Sequence, residues 1–235
     1  MSELVLIRHG QASFGAASYD KLSEQGFEQV RLLSRHLQDR GISFDHLVSG
    51  SLQRQQETAR ELLPLIKGSA PVVELDPELN EYSADAVIKL YLRQHNKDEA
   101  MRDMEWPIRD VRLFQRIFDA ATARWVANEL EPDGEESGFE RFEEFQSRVH
   151  GVTDALMKRF PRGCQVLIST SGGVIALAMQ RVLGFSNPQA IATNWMVYNS
   201  SVTRIRYGGG RVSLDQFNSL PHLELPHRQH LITHR

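Results

Sequence analysis

The sequence predicts a three-layer α/β fold, helix on sheet on helix, with a mainly parallel sheet and a helical insertion. Three observations predict it. Short aliphatic runs alternate with segments of helical period from Leu4 to Leu75, an order that lays parallel strands side by side with helices on their faces. Between Ser83 and Phe160 this alternation gives way to helical patterns alone. The sheet pattern then returns at Val166-Leu167-Ile168 and closes with two alternating runs joined at Gly208-Gly209-Gly210, as in a hairpin. At 235 residues and 41% hydrophobic, the chain can bury one large core, so residues 1–235 are read as a single domain with residues 83–160 inserted in it.

Leu4-Val5-Leu6-Ile7 is the first strand, and four aliphatic residues in a row suit a strand covered on both faces. It stops at Arg8-His9-Gly10, which delivers a cation and an imidazole to the strand's C-terminal edge, where open α/β sheets hold their ligands. A Gly/Ser/Ala loop over residues 11–19 leads to Ser23, a helix N-cap. Phe27, Val30, Leu33 and Leu37 follow at helical spacing, with Gly41 as the stop. Residues 45–50 read as the second strand, 52–66 as the second helix and 72–75 as the third strand. In the insertion, Val111, Phe114, Phe118, Ala121 and Trp125 form one apolar stripe, and Phe142, Phe145, Val149, Val152 and Leu156 form another. Pro107 marks the start of the first stripe and Pro132-Asp133-Gly134 a turn between the two, while Tyr91 and Trp106 read as packing residues. Residues 174–183 are the helix after the fourth strand, and residues 197–207 and 211–217 are the closing strands.

A net charge of −3 and a pI near 6.3 give no electrostatic reason to expect nucleic acid or an anionic membrane as partner. No window approaches the roughly 20 apolar residues that span a bilayer, and no basic segment precedes a long apolar stretch at the start, so the expectation is a cytoplasmic protein. The one cysteine, Cys164, opens an apolar run and reads as a buried thiol. Nothing in the composition signals an obligate interface between copies.

Four segments place polar groups in loops after strands: Arg8-His9-Gly10-Gln11, residues 49–59, Leu79-Asn80-Glu81 and Ser169-Thr170-Ser171-Gly172-Gly173. The last also opens a helix, whose free N–H groups and dipole favour an anion. Arg-His-Gly after the first strand, taken with Ser51-Leu52-x-Arg54-x-x-x-Thr58-Ala59 after the second, resembles the histidine phosphatase superfamily, also called phosphoglycerate mutase-like. The match runs in order from Leu4 to about Leu223. The resemblance implies phosphomonoester hydrolysis on a small phosphorylated metabolite, with no metal or other cofactor.

The chemistry explains why these residue types belong together. A transferring phosphoryl group carries its charge on equatorial oxygens, so cations and N–H donors must surround it while nucleophile and leaving oxygen stay in line. Arg8 and Arg54 are the expected clamp, with Gln11 and Gly172 as further phosphate contacts. His9, neutral near pH 7, is the expected nucleophile and forms a phosphohistidine. By resemblance to the family's Leu-x-Glu segment, Glu81 protonates the leaving oxygen and later takes a proton from water.

Family members usually carry Ser-His-Gly-Gly in the fourth segment, and Ser171 stands at the place of that second histidine. In the favoured reading the pocket remains a phosphatase, with the Ser171 hydroxyl and the Gly172 and Gly173 N–H groups holding the oxyanion. An alternative is a phosphate-ligand-binding or regulatory protein with weak or absent turnover. Ser171 as a hydrolase nucleophile is disfavoured, since the segment is not Gly-x-Ser-x-Gly and has no His/Asp partner. A mutase-type phosphotransferase is a further alternative, without a signature for excluding water. His222, in Asn218-x-x-x-His222-Leu223, resembles an ending common in the family and is the candidate to supply the missing imidazole; a packing or capping role is its equal rival. Lys89, Arg93, Arg109, Arg112 and Arg116 could meet an anionic substrate if the insertion covers the sheet edge, with surface solvation the default reading for any one of them. The tail, with His227, His230 and His234, reads as a solvated terminus rather than a metal site.

Overall fold

A computed structural model describes residues 1–13, 20–95, 111–132, 134, 137–160 and 163–234. Trp106, Pro107, Arg109 and Asp133 lie outside the described residues. The strands are β1 (Ser2–Arg8), β2 (His46–Ser49), β3 (Glu74–Leu75), β4 (Gln165–Thr170), β5 (Val202–Gly208) and β6 (Arg211–Ser219). The described helices are α1 (Glu24–Asp39), α2 (Gln53–Leu62), α3 (Ala84–His95), α4 (Val111–Val126), α5 (Phe142–Arg159), α6 (Gly172–Leu183) and α7 (Asn187–Met196).

Successive strand residues face opposite sides, so Val5 and Ile7 point one way and Leu4 and Leu6 the other. All four are at most 3% exposed, which requires a central strand covered on both faces. The sheet order β3-β2-β4-β1-β5-β6 gives β1 that place. Strands β1 to β4 pair in parallel, and β5 runs antiparallel to both β1 and β6. The mainly parallel sheet thus ends in an antiparallel hairpin. On one face Val30, Leu33 and Leu37 of α1 and Ala59 and Leu62 of α2 meet Val5, Ile7, Leu47 and Leu167 in one core. Helix α6 packs against β1 and β6.

Residues Met1–Glu81 and Val149–Arg235 form one compact unit, and Tyr82–Arg148 form a second. In the second, the stripe expected around Trp125 packs as the spacing requires. The Trp125 ring stacks at 5.9 Å on Phe145 and meets Phe142 edge-on at 5.1 Å. Its indole N–H donates to the Glu140 carbonyl at 2.8 Å, which satisfies the polar end of an otherwise apolar contact.

Several expectations are corrected. The third strand is only Glu74–Leu75; Val72, 75% exposed, lies outside this short edge strand. The second helix ends at Leu62 and tightens into a 3-10 turn over Leu63–Leu65, because Pro64 has no N–H to continue the ladder. Residues 187–196, which carried no expected element, form α7, opened by a box in which Gln189 Oε1 accepts from the Ser186 N–H at 2.9 Å. The strand expected over 197–207 starts only at Val202, and the residues before it form a loop with Ser200 at φ +58°. Cys164 is half-exposed rather than buried, since it precedes β4 instead of lying within it.

The histidine-rich tail keeps His227, His230 and His234 exposed, as expected, but is anchored at Leu231 and Thr233. Leu231 joins Leu220 and Leu223 in a small apolar cluster, and Gln29 of α1 donates to the Leu231 carbonyl at 2.6 Å and to Thr233 Oγ1 at 2.9 Å. Burial of Leu231 and these bonds to a buried amide fix that part of the tail against α1, while the three histidine side chains remain in solvent.

Candidate functional site

The site grows from the C-terminal ends of three adjacent parallel strands. Arg8, last in β1, sits opposite Thr170, last in β4, and the His9 N–H continues the ladder to the Thr170 carbonyl at 2.9 Å. Gly50, just past β2, donates to the Ser169 carbonyl at 3.1 Å. The loops after β1, β2 and β4 therefore leave the sheet side by side. The loop before β5 holds the other side of the Arg8-His9 backbone: Asn199 Nδ2 donates to the His9 carbonyl at 3.2 Å and the Ser200 N–H to the Arg8 carbonyl at 3.1 Å. Arg8 Nη1 donates to the Val197 carbonyl. Beyond His9 the chain passes so close to α1 that a Cβ on Gly10 would lie 2.4 Å from the Gly26 carbonyl oxygen.

The hydrogen bonds of His9 fix its tautomer. Nδ1 lies 2.7 Å from the Gly10 carbonyl, which can only accept, so Nδ1 carries the proton. Nε2 lies 3.1 Å from Arg54 Nε, which can only donate, so Nε2 bears the lone pair. Burial, then the charges of Arg54 and Arg8, hold the imidazole well below its usual 6.5, against the bond to Gly10 that raises it. His9 is thus a neutral imidazole whose Nε2 lone pair accepts from the Arg54 guanidinium.

Arg54 lies in the first turn of α2, and Thr58, four residues on, shares its helix face. Thr58 Oγ1 donates to the Arg54 carbonyl at 2.9 Å and accepts from the Gly10 N–H at 3.1 Å, which explains the Arg-x-x-x-Thr spacing as a tie between helix and His9 loop. Arg54 Nη1 also pairs with Asp20 Oδ1 at 2.5 Å.

Glu81 follows a segment pinned at two points. The Leu79 carbonyl accepts from Thr170 Oγ1 at 2.7 Å and from Gln55 Nε2 at 3.1 Å, and Asn80 Oδ1 accepts from the Ser51 N–H at 2.7 Å. Glu81 Oε2 then accepts from the Gly173 N–H at 2.9 Å, at the N-terminus of α6. A Cβ on Gly173 would lie 2.2 Å from Glu81 Oε1, so only glycine admits the carboxylate there. The N–H group expected to face an oxyanion is engaged by Glu81.

The other candidates lie differently. Ser171 is 0% exposed, and its Oγ accepts from Gln55 Nε2 at 2.9 Å. Ser171 is sealed from solvent, so a phosphate reaches its hydroxyl only if neighbours move. Gly172 is beside Arg8: an added Cβ would fall 3.6 Å from Arg8 Nε and 2.4 Å from Asn194 Oδ1. Gln11 turns to α1, where its Oε1 accepts from Ser23 Oγ at 3.0 Å and its N–H donates to Gln29. His222 Nε2 bonds Ser200 Oγ at 2.8 Å, which places it behind the loop that holds the Arg8-His9 backbone.

Sequence reasoning missed Asp20, Gln55, Asn199 and Ser200. Gln55, beside Arg54 in the motif, was the one with a positional signal, since a polar residue next to a ligand-facing arginine either reaches solvent or needs buried partners. Gln55 has them: besides its two Nε2 bonds, its Oε1 accepts from the Leu52 N–H at 3.3 Å.

Burial of His222 has a consequence for acid stability. Burial first, then the charges of His36 and Arg228, lower its pKa from the usual 6.5 to about 3. A folded-state pKa below the unfolded one stabilises the fold above pH 6.5, and this is lost as pH falls from 6.5 through about 3. At about pH 5 the loss is about 2 kcal/mol. Urea titrations at about pH 7.5 and 5 are expected to show this drop in the native protein and a smaller one in His222→Gln.

Among the described residues, no group of three or more His, Cys, Asp or Glu is placed to hold a metal ion, and no helix is long and apolar enough to cross a membrane.

The family model of the histidine phosphatase superfamily (branch 1) matches residues 4–111 and 84–220. A 2,3-bisphosphoglycerate-dependent phosphoglycerate mutase from Bartonella henselae is 29% identical over 124 residues, covering 50% of this chain and 57% of that protein. The chain thus spans little more than half the length of this curated relative. The adenosylcobalamin/alpha-ribazole phosphatase of Escherichia coli is 28% identical over 188 residues, 77% of this chain and 79% of that one. Among solved structures, a phosphoserine phosphatase from Entamoeba histolytica, determined with phosphoserine, superposes with a TM-score of 0.65 at 17% identity, covering 95% of this chain and 100% of that one. That likeness shows the shared fold.

Proposed function

The chain belongs to the histidine phosphatase superfamily, and on that premise we propose that it is a phosphomonoester hydrolase acting through a phosphohistidine on His9. The observation that carries this reading is the tautomer of His9, with Nδ1–H spent on the Gly10 carbonyl and the lone pair on Nε2, where it accepts from Arg54 Nε until phosphorus takes that place. In the first step Nε2 attacks phosphorus, the bond from phosphorus to the ester oxygen breaks, and a protonated Glu81 gives its proton to the departing alcohol. In the second, water attacks the phosphohistidine, Glu81 takes its proton back, and the N–P bond breaks to return neutral His9 and phosphate. Arg8 and Arg54 hold the equatorial oxygens throughout, with the Gly172 backbone beside Arg8. The substrate class is a small phosphorylated metabolite, and the reading includes a cytoplasmic setting.

A second reading, a phosphate-binding protein with weak turnover, draws on Ser171, whose burial leaves the pocket without the second imidazole and without an exposed hydroxyl in its place. Steady-state assays with an aryl phosphate separate the two. Saturable turnover from about pH 5 to 7.5 supports the hydrolase, because burial and the charges of Arg54 and Arg8 favour the neutral, nucleophilic form of His9. Saturable phosphate binding without turnover supports the binding protein. With 3-phosphoglycerate as substrate, release of phosphate without isomerisation distinguishes hydrolase from mutase.

A further inference from the structure

We propose that Asp20 is a built-in competitor of the phosphoryl group for Arg54 and thereby sets how tightly the pocket holds phosphate. The inference rests on the reading of Arg54 as a phosphate ligand. Three observations carry it. Asp20 Oδ1 sits 2.5 Å from Arg54 Nη1, on the guanidinium that donates through Nε to the His9 lone pair. Asp20 Oδ2 accepts from the Gln53 N–H at 2.9 Å, so the first turn of α2 anchors the carboxylate against Arg54. The Asp20 side chain is 39% exposed and that of Arg54 is 11% exposed, so the carboxylate is the more solvated partner of the pair and can yield its place to a competing anion.

Arg54 is therefore doubly engaged: Nε occupies the lone pair that must attack phosphorus, and Nη1 is matched to an anion. A phosphoryl group at Nε2 of His9 must draw the Nε–H from the imidazole to a phosphate oxygen. It must do so against the charge of Asp20. Arg54 is thereby prevented from clamping product phosphate with its full positive charge, and release is faster than with an unpaired arginine. Asp20 also offsets one of the two arginine charges beside the neutral imidazole in the free protein.

The test is the affinity for inorganic phosphate, measured by calorimetry at low salt on the full chain and on Asp20→Asn. Asparagine keeps an oxygen for the Gln53 N–H and removes the charge. Asp20→Asn is expected to bind phosphate about three- to tenfold more tightly, the scale of one partly solvated charge, and the gain shrinks as salt is raised. Asp20→Ser, which also retains a cap acceptor, is expected to shift the affinity in the same direction and serves if the asparagine variant melts early. If the native protein binds phosphate and neither variant binds it more tightly, Asp20 merely caps α2 or steadies Arg54 and the proposal falls alone. If none of the three binds phosphate, the phosphate reading of the pocket falls and takes the proposal with it.

Discussion

His9→Ala is expected to lose phosphomonoester turnover by about 1000-fold or more while keeping its fold, because removal of a covalent nucleophile leaves only binding and charge stabilisation. The size of the loss follows from the role of Nε2. No other described contact offers a lone pair of the same kind beside Arg54, since the Gln55 amide is saturated and the Ser171 hydroxyl is sealed. Retention of the fold follows from the backbone. The three bonds that place His9, to Thr170, Asn199 and Ser200, use main-chain atoms of His9 and survive the substitution. Initial rates beside a thermal melt check both halves: residual turnover near the native level would assign the chemistry elsewhere, and a collapsed melt would make the loss uninformative.

Ser171→His, the substitution that restores the family's usual residue, is expected to destabilise the protein by about 1–3 kcal/mol and to bring no gain in rate. Ser171 has no exposed surface, and Gln55 Nε2 lies 2.9 Å from its hydroxyl. An imidazole there must displace Gln55, which also holds the Leu79 carbonyl two residues before Glu81. The added ring would therefore disturb the segment that carries the proton donor. The double variant with Gln55→Ala opens the needed volume and is expected to recover part of the stability lost in the single variant. Denaturant titrations of the single and double variants measure this. A single variant as stable as the native protein and faster than it would show that position 171 accommodates a histidine without rearrangement.

Local signals made much of the architecture legible. Four aliphatic residues ending at Arg8-His9-Gly10 announced a central strand, and Arg54 with Thr58 announced a helix face, because both depend on residues a few positions apart. Helix α7 also had a local signal, Ser186 and Gln189 around Pro188, that hydropathy patterning overlooked. Asp20 and Asn199 had none. They reach Arg54 and the His9 carbonyl across 34 and 190 residues, so only the strand order brings them there. The burial of Ser171 was illegible for the same reason, since the amide that covers it comes from α2, 116 residues earlier. The anchored tail depends on Gln29, a polar residue whose position in α1 gives no hint that its side chain binds the other end of the chain. Residues that act through neighbours in sequence were visible, while those that act through neighbours in the sheet were not.

The most direct test of the account is the covalent intermediate itself. The protein is mixed with an aryl phosphate, quenched in alkali to preserve an N–P bond, digested and examined by mass spectrometry, with Glu81→Gln as a second sample in which hydrolysis of the intermediate is slowed. The account predicts one added phosphoryl group on the peptide carrying His9, more abundant in Glu81→Gln than in the native protein and absent from His9→Ala. Steady turnover with no phosphate on His9 in either sample, or a phosphoryl group on another residue, would contradict it.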